Sequence, residues 1–246
     1  MSTDFIFGLH SVSAFLERNP QDVLELFVLK DRDDQRMTPL IQQARKLGIS
    51  VQFCQRKTLD EKVEGAQHQG VVAKARLSDA GDEHDLKRIL DTQAQPFLLI
   101  LDGITDPHNL GAILRSADAA GVHAVIAPKD RAAKLTAVVR KVACGAAEAV
   151  PFIAVTNLAR TIRELKDAGV WVLGAAGETE TTIYQASLKG PLALAMGAEG
   201  DGLRRLTKEL CDGLVKIPMF GAVSSLNVSV ATGICLYEAV RQRTSS

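Results

Sequence analysis

The stretch from Leu99 to Gly121, LILDGITDPHNLGAILRSADAAG, decides the fold class. It begins as an unbroken apolar run, breaks at Asp102-Gly103, crosses a short polar loop and enters a segment of small residues at helical spacing. An apolar run without alternation reads as a strand covered on both faces, and such a strand feeding a helix is the half-unit of a parallel α/β sheet. Asp106 or Asn109 can open the helix, and Pro107 suits its first turn. Leu110, Ile113, Leu114 and Ala117 share one face, the core face. Gly111, Arg115, Asp118 and Ala119 fall on another, where small residues let a second surface come close. Local spacing leaves two readings of Arg115. It can pair with Asp118 at i,i+3, a contact of little weight, or it can meet a ligand, a second helix or another chain. The local pattern by itself favours the pair.

The same alternation continues outward. Strands are predicted at 97–103, 123–127, 171–175, 191–197 and 213–218, and helices at 109–120, 157–168, 203–210 and 225–243. This is a mostly parallel, helix-covered sheet. Upstream, strands at 23–30, 49–53 and 70–77 and a helix at 38–48 ending on a glycine predict a small α/β domain. The polar, acidic SDAGDEHD (78–85) reads as a linker, with a short helix following at 86–91. The expected division is therefore 1–77, a linker at 78–95, and 96–246.

The 246 residues, 46% of them hydrophobic, can bury a core in one large domain or two smaller ones. Lys+Arg and Asp+Glu are both 29, so any nucleic acid must be met by a local patch rather than a global field. Cys54, Cys144, Cys211 and Cys235 lack CxxC spacing and read as buried reduced thiols, with neither a metal site nor a disulfide framework. The N-terminus shows no secretory pattern, and no apolar run is long enough for a membrane span. The expectation is a soluble cytoplasmic protein without metal or membrane partner.

Ligands of open α/β sheets bind beyond the carboxyl ends of the strands, which singles out three loops. The first is TDPHN (105–109). The second, GAEGDG (197–202), is G-x-x-G-x-G, neither the dinucleotide G-x-G-x-x-G nor a phosphate loop ending in G-K-[ST]. Glu199 would repel a phosphate and suits a cationic or neutral ligand; a plain strand-to-helix turn with an acidic helix start is the other reading. The third is MFGAVSS (219–225), leading into a very apolar helix that Ser224 or Ser225 can cap. Asn227 and Ser229 then lie in its first turns, either bonding local backbone or facing a cleft shared with Asn109 and Arg115.

Taken together and in order, TDPHNLGAILRSADAAG, LALAMGAEGDGL and VKIPMFGAVSSLNVSVATGICLYEA resemble the three motifs of the SPOUT-class, TrmH-like RNA ribose methyltransferases. FGLHSVSAFLE (7–17) and HQGVVAKA (68–75) are similar to the substrate-binding domain that precedes the catalytic domain in these enzymes. The resemblance implies an L30e-like RNA-binding domain in front of a parallel α/β domain whose C-terminal segment forms a deep trefoil knot. It implies a homodimer with the active site completed at the subunit interface, and S-adenosyl-L-methionine as methyl donor. It implies transfer to the ribose 2′-hydroxyl of a guanosine in the peptidyl-transferase loop of 23S ribosomal RNA. A transfer-RNA ribose methyltransferase and a non-catalytic RNA-binding or ribosome-assembly protein are the alternatives. Carried over by motif position, Arg115 is the catalytic arginine; Asn109, Glu199, Ser225 and Asn227 shape the catalytic pocket; Gly197, Ile217 and Leu226 hold the cofactor through backbone groups.

That chemistry needs alignment and a hydroxyl activator. Holding two reactants in line contributes up to about 7–11 kcal/mol, and a positioned base roughly 10²–10⁴-fold. A guanidinium is a poor base but stabilises a developing alkoxide, and its planar fork can hold a phosphate as well. With 8 Phe, 2 Tyr and 1 Trp, the chain is poor in stacking platforms, so RNA is expected to be read by shape, phosphates and ribose hydroxyls. Arg18, Arg45, Lys46, Arg56 and Lys57 are the basic candidates in front, and Arg140 and Lys141 near the catalytic loops.

Overall fold

The computed structural model describes residues 2–30, 35–77 and 79–245, and the chain divides into two compact units. The first unit holds β1 (Ser2–Phe7), α1 (Leu9–Arg18), β2 (Val23–Leu29), α2 (Met37–Lys46), β3 (Ser50–Cys54), α3 (Arg56–Lys62) and β4 (Val71–Leu77). Its sheet runs in the order β1-β4-β2-β3, with β4 antiparallel to both neighbours and β3 parallel to β2. The predicted strands and helix lie where alternation placed them. β1, α1 and α3 were not predicted, because short polar-rich segments carry too little periodicity. Packing defines them instead. Val12, Phe15 and Leu16 of α1 join Leu26, Leu40 and Val71 in one cluster, and Leu59 of α3 joins Phe7, Phe27 and Val72 in another.

The second unit begins with α4 (Glu83–Thr92), β5 (Phe97–Asp102), α5 (Pro107–Ala119) and β6 (Ala124–Pro128). The chain then forms α6 (Ala137–Ala143) and continues through β7 (Phe152–Val155), α7 (Leu158–Asp167), β8 (Trp171–Ala175), β9 (Leu192–Gly197), α8 (Arg205–Leu210), β10 (Gly213–Val215) and α9 (Val228–Thr244). The sheet order is β10-β8-β9-β5-β6-β7, and every pairing is parallel. Its central strands β5 and β9 are buried at every position, as unbroken apolar runs require. Leu98, Ile100, Ile126, Val172, Ala193 and Ile162 form the core between sheet and helices.

Residues 135–149, α6 included, belong to the first unit although they interrupt the second in sequence. Ser11 Oγ donates to the carbonyl of Lys141 at 3.3 Å, and Lys141 Nζ donates to the carbonyl of Gln67 at 2.8 Å. Gly145, at φ 92°, leaves no room for a side chain: a Cβ there would lie 2.6 Å from that of Ala14. Of the two basic candidates in this segment, Lys141 is bonded within the first unit, to Ser11 and Gln67. Arg140 is buried and pairs with buried Glu148, so its charge is spent inside the fold rather than offered to RNA.

Other boundaries also shift. The strand predicted to Pro218 ends at Val215, and the helix predicted from 225 starts at Val228. Neither Ser224 nor Ser225 caps it. Asn227 is the N-cap, its Oδ1 accepting from the Ser229 amide at 2.9 Å. Asp106 caps α5, accepting from the His108 amide at 3.0 Å. Of the four thiols only Cys235 is buried; Cys54, Cys144 and Cys211 are half-buried. No helix among the described residues is long and apolar enough to cross a membrane.

Candidate active site

Three loops leave the carboxyl ends of β5, β9 and β10. The loop after β9 is the tightest. Ala198 and Gly202 pair across it, with their amides and carbonyls exchanging bonds of 3.1 and 2.9 Å. Only three residues span the turn, and Gly200 and Gly202 supply the left-handed backbone it needs (φ 84° and 67°). Gly197 is required for a different reason: a Cβ there would lie 2.0 Å from the Gly202 carbonyl carbon. The turn therefore folds back against its own strand and holds Glu199 out at its tip.

Asp102 and Arg204 pin this turn to β5. The Asp102 carboxylate, fully buried at the end of an apolar strand, accepts from the Arg204 amide at 2.9 Å and lies 3.4 Å from Arg204 Nη1. Sequence reading passed over both residues. The signal was present: a charged residue ending a strand buried on both faces requires a partner.

The loop from 217 to 226 is the opposite case. Among the described residues, none of this segment takes part in a backbone–backbone hydrogen bond. Its amides and carbonyls are open to a ligand or to water. Between this loop and the turn after β9 lies a cleft of about 690 Å³, with Gly197, Glu199, Ile217, Ser225 and Leu226 on its walls. Met196 and Val228 add apolar surface, while Glu178 and Lys208, unremarked in the sequence, add an ion pair. The Lys208 ammonium bonded to Glu178 holds that carboxyl below the usual range.

The buried amide of Asn109 links the loops. Its Nδ2 donates to Glu199 Oε2 at 3.4 Å, and its Oδ1 accepts from Asn227 Nδ2 at 2.9 Å. Asn227 in turn accepts through Oδ1 from the Ser229 amide and hydroxyl. The open choice between capping and cleft thus resolves as both, since Asn227 caps α9 with its oxygen and meets Asn109 with its nitrogen. Of the eight predicted site residues, five line the cleft and two more join Glu199 through this chain of amides. Arg115 is exposed on α5, outside the residues that line the cleft. Part of the small-residue surface of α5 is occupied by α9: a Cβ added at Gly233 would sit 3.9 Å from Ser116 Oγ.

Nucleophilic thiol chemistry does not suit this unit. Burial pushes the Cys211 thiol up to about 11 and the Cys235 thiol to about 12, so both stay protonated at neutral pH. S-adenosylmethionine, implied by the resemblance, joins a nucleoside to an amino acid through a cationic sulfur. The cleft matches that make-up, with open backbone groups at 217–226, apolar Met196, Ile217 and Leu226, and the exposed carboxylate of Glu199.

Known proteins resemble the chain in sequence and in fold. A family model described as the SpoU rRNA Methylase family matches residues 96–237, and one described as RNA 2′-O ribose methyltransferase substrate binding matches residues 5–79. A 23S rRNA (guanosine-2′-O-)-methyltransferase RlmB of Shewanella oneidensis is 62% identical over 242 residues, covering 98% of each chain. The crystal structure of the SpoU methyltransferase AviRb from Streptomyces viridochromogenes in complex with AdoMet superposes with a TM-score of 0.79. The alignment covers 99% of this chain and 92% of that one, at 27% identity. The TrmH/SpoU tRNA modifying enzyme of A. aeolicus aligns over 65% of this chain and 83% of its own, with 31% identity and a TM-score of 0.56.

Proposed function

The chain belongs to the SpoU rRNA methylase family, and from that premise we propose that it transfers a methyl group from S-adenosylmethionine to the ribose 2′-hydroxyl of a guanosine in 23S ribosomal RNA. The observation that carries the reading is the amide chain Glu199–Asn109–Asn227, which ties three separate loops into one polar wall beside the cleft. The likeness to the ribosomal enzyme runs the full length of the chain, front unit included, whereas the transfer-RNA enzyme matches only 65% of it. That supports ribosomal over transfer RNA.

When bound, the cofactor supplies a methyl group on a cationic sulfur that leaves neutral. The open backbone of Ile217 and Leu226, with Gly197 opposite, would hold it. Asn109 fixes Glu199 and Asn227 in one orientation, so the polar wall needs no reorganisation as charge develops. The Arg115 guanidinium stabilises the developing alkoxide while its second edge takes an RNA phosphate, where the proton can go. Ser225, on the cleft wall, orients the nucleotide.

The reading extends to a homodimer with the active site completed by the second copy. Val230 and Tyr237 stand exposed two turns apart on α9, and Phe220 is 95% exposed at the tip of the open loop. A second copy covers such apolar surface; light scattering on the purified chain tests it. The knot of the family's C-terminal segment is part of the same reading, supported by the all-parallel six-strand order and by α9 packed on α5. A ribosomal substrate places the protein in the cytoplasm.

Labelled S-adenosylmethionine, purified protein and unmodified 23S rRNA test the proposal. Mass mapping is expected to find the label on the sugar of one guanosine; label on a base overturns the mechanism. Arg115→Lys keeps the charge and loses the fork. Methyl transfer at saturating substrate should fall about 10²–10³-fold with Tm unchanged; full activity refutes the role.

A further inference from the structure

The first unit contains a cavity of about 400 Å³ that the catalytic reading does not use. We propose that it is a binding site for one unstacked nucleotide of the RNA substrate, with its phosphate held by Arg36 and Arg56 and its base edge read by Asp60. The inference rests on the RNA-methyltransferase reading above and names the part of the substrate that the front unit grips.

The cavity is built around residues 64–70. Glu64 and Gln69 both adopt left-handed backbone (φ 51° and 53°), a conformation that non-glycine residues rarely take. Such a conformation persists only where the surroundings over-determine it. Here His68 does so. Its ring is 4% exposed; Nδ1 accepts from the Gly70 amide at 2.9 Å, and Nε2 lies 3.0 Å from Asp60 Oδ1. An Nδ1 that accepts leaves the proton on Nε2, which donates to the carboxylate. Both ring nitrogens are then engaged, so this Asp–His pair holds the loop in shape and is not a base for hydrolysis. Gln69 Oε1 accepts from the Leu9 amide at 3.0 Å and fastens the same loop to the start of α1.

The remaining lining has the make-up of a nucleotide site. Leu9 and Leu29 supply apolar walls for a base, and His10, Arg36 and Arg56 supply donors for a phosphate. Arg56 is 79% exposed and Asp60 43% exposed, so both can turn to a ligand while Asp60 keeps its bond to His68. Asp60 Oδ2 lies 4.0 Å from Arg56 Nε, an ion-pair distance too long for a hydrogen bond, and keeps lone pairs that accept from the N–H groups of a base edge. The chain's few aromatic residues leave base recognition to pockets of this kind rather than to stacking platforms.

The test has two arms. In the first, Arg36→Ala/Arg56→Ala is compared with wild type in methylation of 23S rRNA. KM for RNA should rise about tenfold or more and its salt dependence should flatten, with kcat and cofactor affinity within twofold; Arg56→Lys should recover most of the affinity. Unchanged KM and unchanged salt dependence overturn the site. The second arm needs no activity: 4-thiouridine-substituted 23S rRNA is photo-crosslinked to the full chain and the linked peptides are mapped. Crosslinks at 56–70 support the site, and crosslinks found only elsewhere overturn it. If the wild type methylates no RNA, the catalytic reading fails while the crosslinks still decide the cavity.

Discussion

The turn after β9 and the loop after β10 face each other across one cleft and are built on opposite plans. Residues 198–202 close on themselves through paired backbone groups and a strand glycine with no room for a methyl group. Among the described residues, 217–226 take part in no backbone–backbone hydrogen bond. The closed turn is a fixed wall that positions one carboxylate, and the open loop leaves its donors and acceptors open to a ligand or to water. Between them Asn109, from a third loop, holds one contact to each side. A site that must grip a small molecule and align a large one gains from dividing the two tasks in this way.

The comparison is most directly broken at glycine. Gly197→Ala forces a Cβ to within 2.0 Å of backbone that cannot yield cheaply. It should cost about 3 kcal/mol or more in chemical denaturation and abolish methyl transfer. Asn109→Ala comes next. It unlinks both loops, and because its partners Glu199 and Asn227 are exposed and can turn to water, a loss of about 0.5–1.5 kcal/mol is expected, with turnover reduced more than cofactor binding in calorimetry. A wild-type rate in this variant would show that the amide chain only braces the fold.

A smaller effect concerns α9, which anchors the far end of the open loop. Glu238 accepts from Arg241 at 2.8 Å through both oxygens and from Gln242 at 2.8 Å. The Arg241 guanidinium holds its carboxyl down to about 2, from an ordinary value of 4.5. A lowered folded-state value adds stability that is fully present above about 4.5 and is lost as pH falls toward about 2. Tm of the wild type should therefore drop across that window more than that of Glu238→Gln. Equal slopes would remove Glu238 from the anchoring role. The smallest change is the control: Gly221→Ala, with nothing within 4 Å of its added Cβ and no left-handed backbone, should alter stability by less than about 0.5 kcal/mol. The contrast between the two glycine variants measures how differently the two loops are built.

How much of this could be read along the chain depends on the range of the interaction. The central strands and the helices at 109–120 and 157–168 were legible because burial on a sheet or along one helix face imposes a local period. The three motif segments were legible as a set, and they pointed to the cleft, to Glu199 and to both asparagines. The start of α9 was misplaced because serines and an asparagine in succession all have the chemistry of a cap, and only packing selects Asn227. Arg140 was misread as a surface cation because nothing in its neighbours announces that Glu148 will be buried with it.

The amino-acid sequence by itself determined the alternation of strand and helix, the apolar faces and the kinds of residue gathered in each loop, since these follow from side-chain chemistry at short spacing. Tertiary structure decided which of them meet. Asn109 bonds to residues 90 and 118 positions away, and residues 135–149 leave the sheet that flanks them to complete the other unit. Contacts across such separations depend on how strands are ordered and how tightly backbones approach, and neither quantity leaves a periodic trace in the chain.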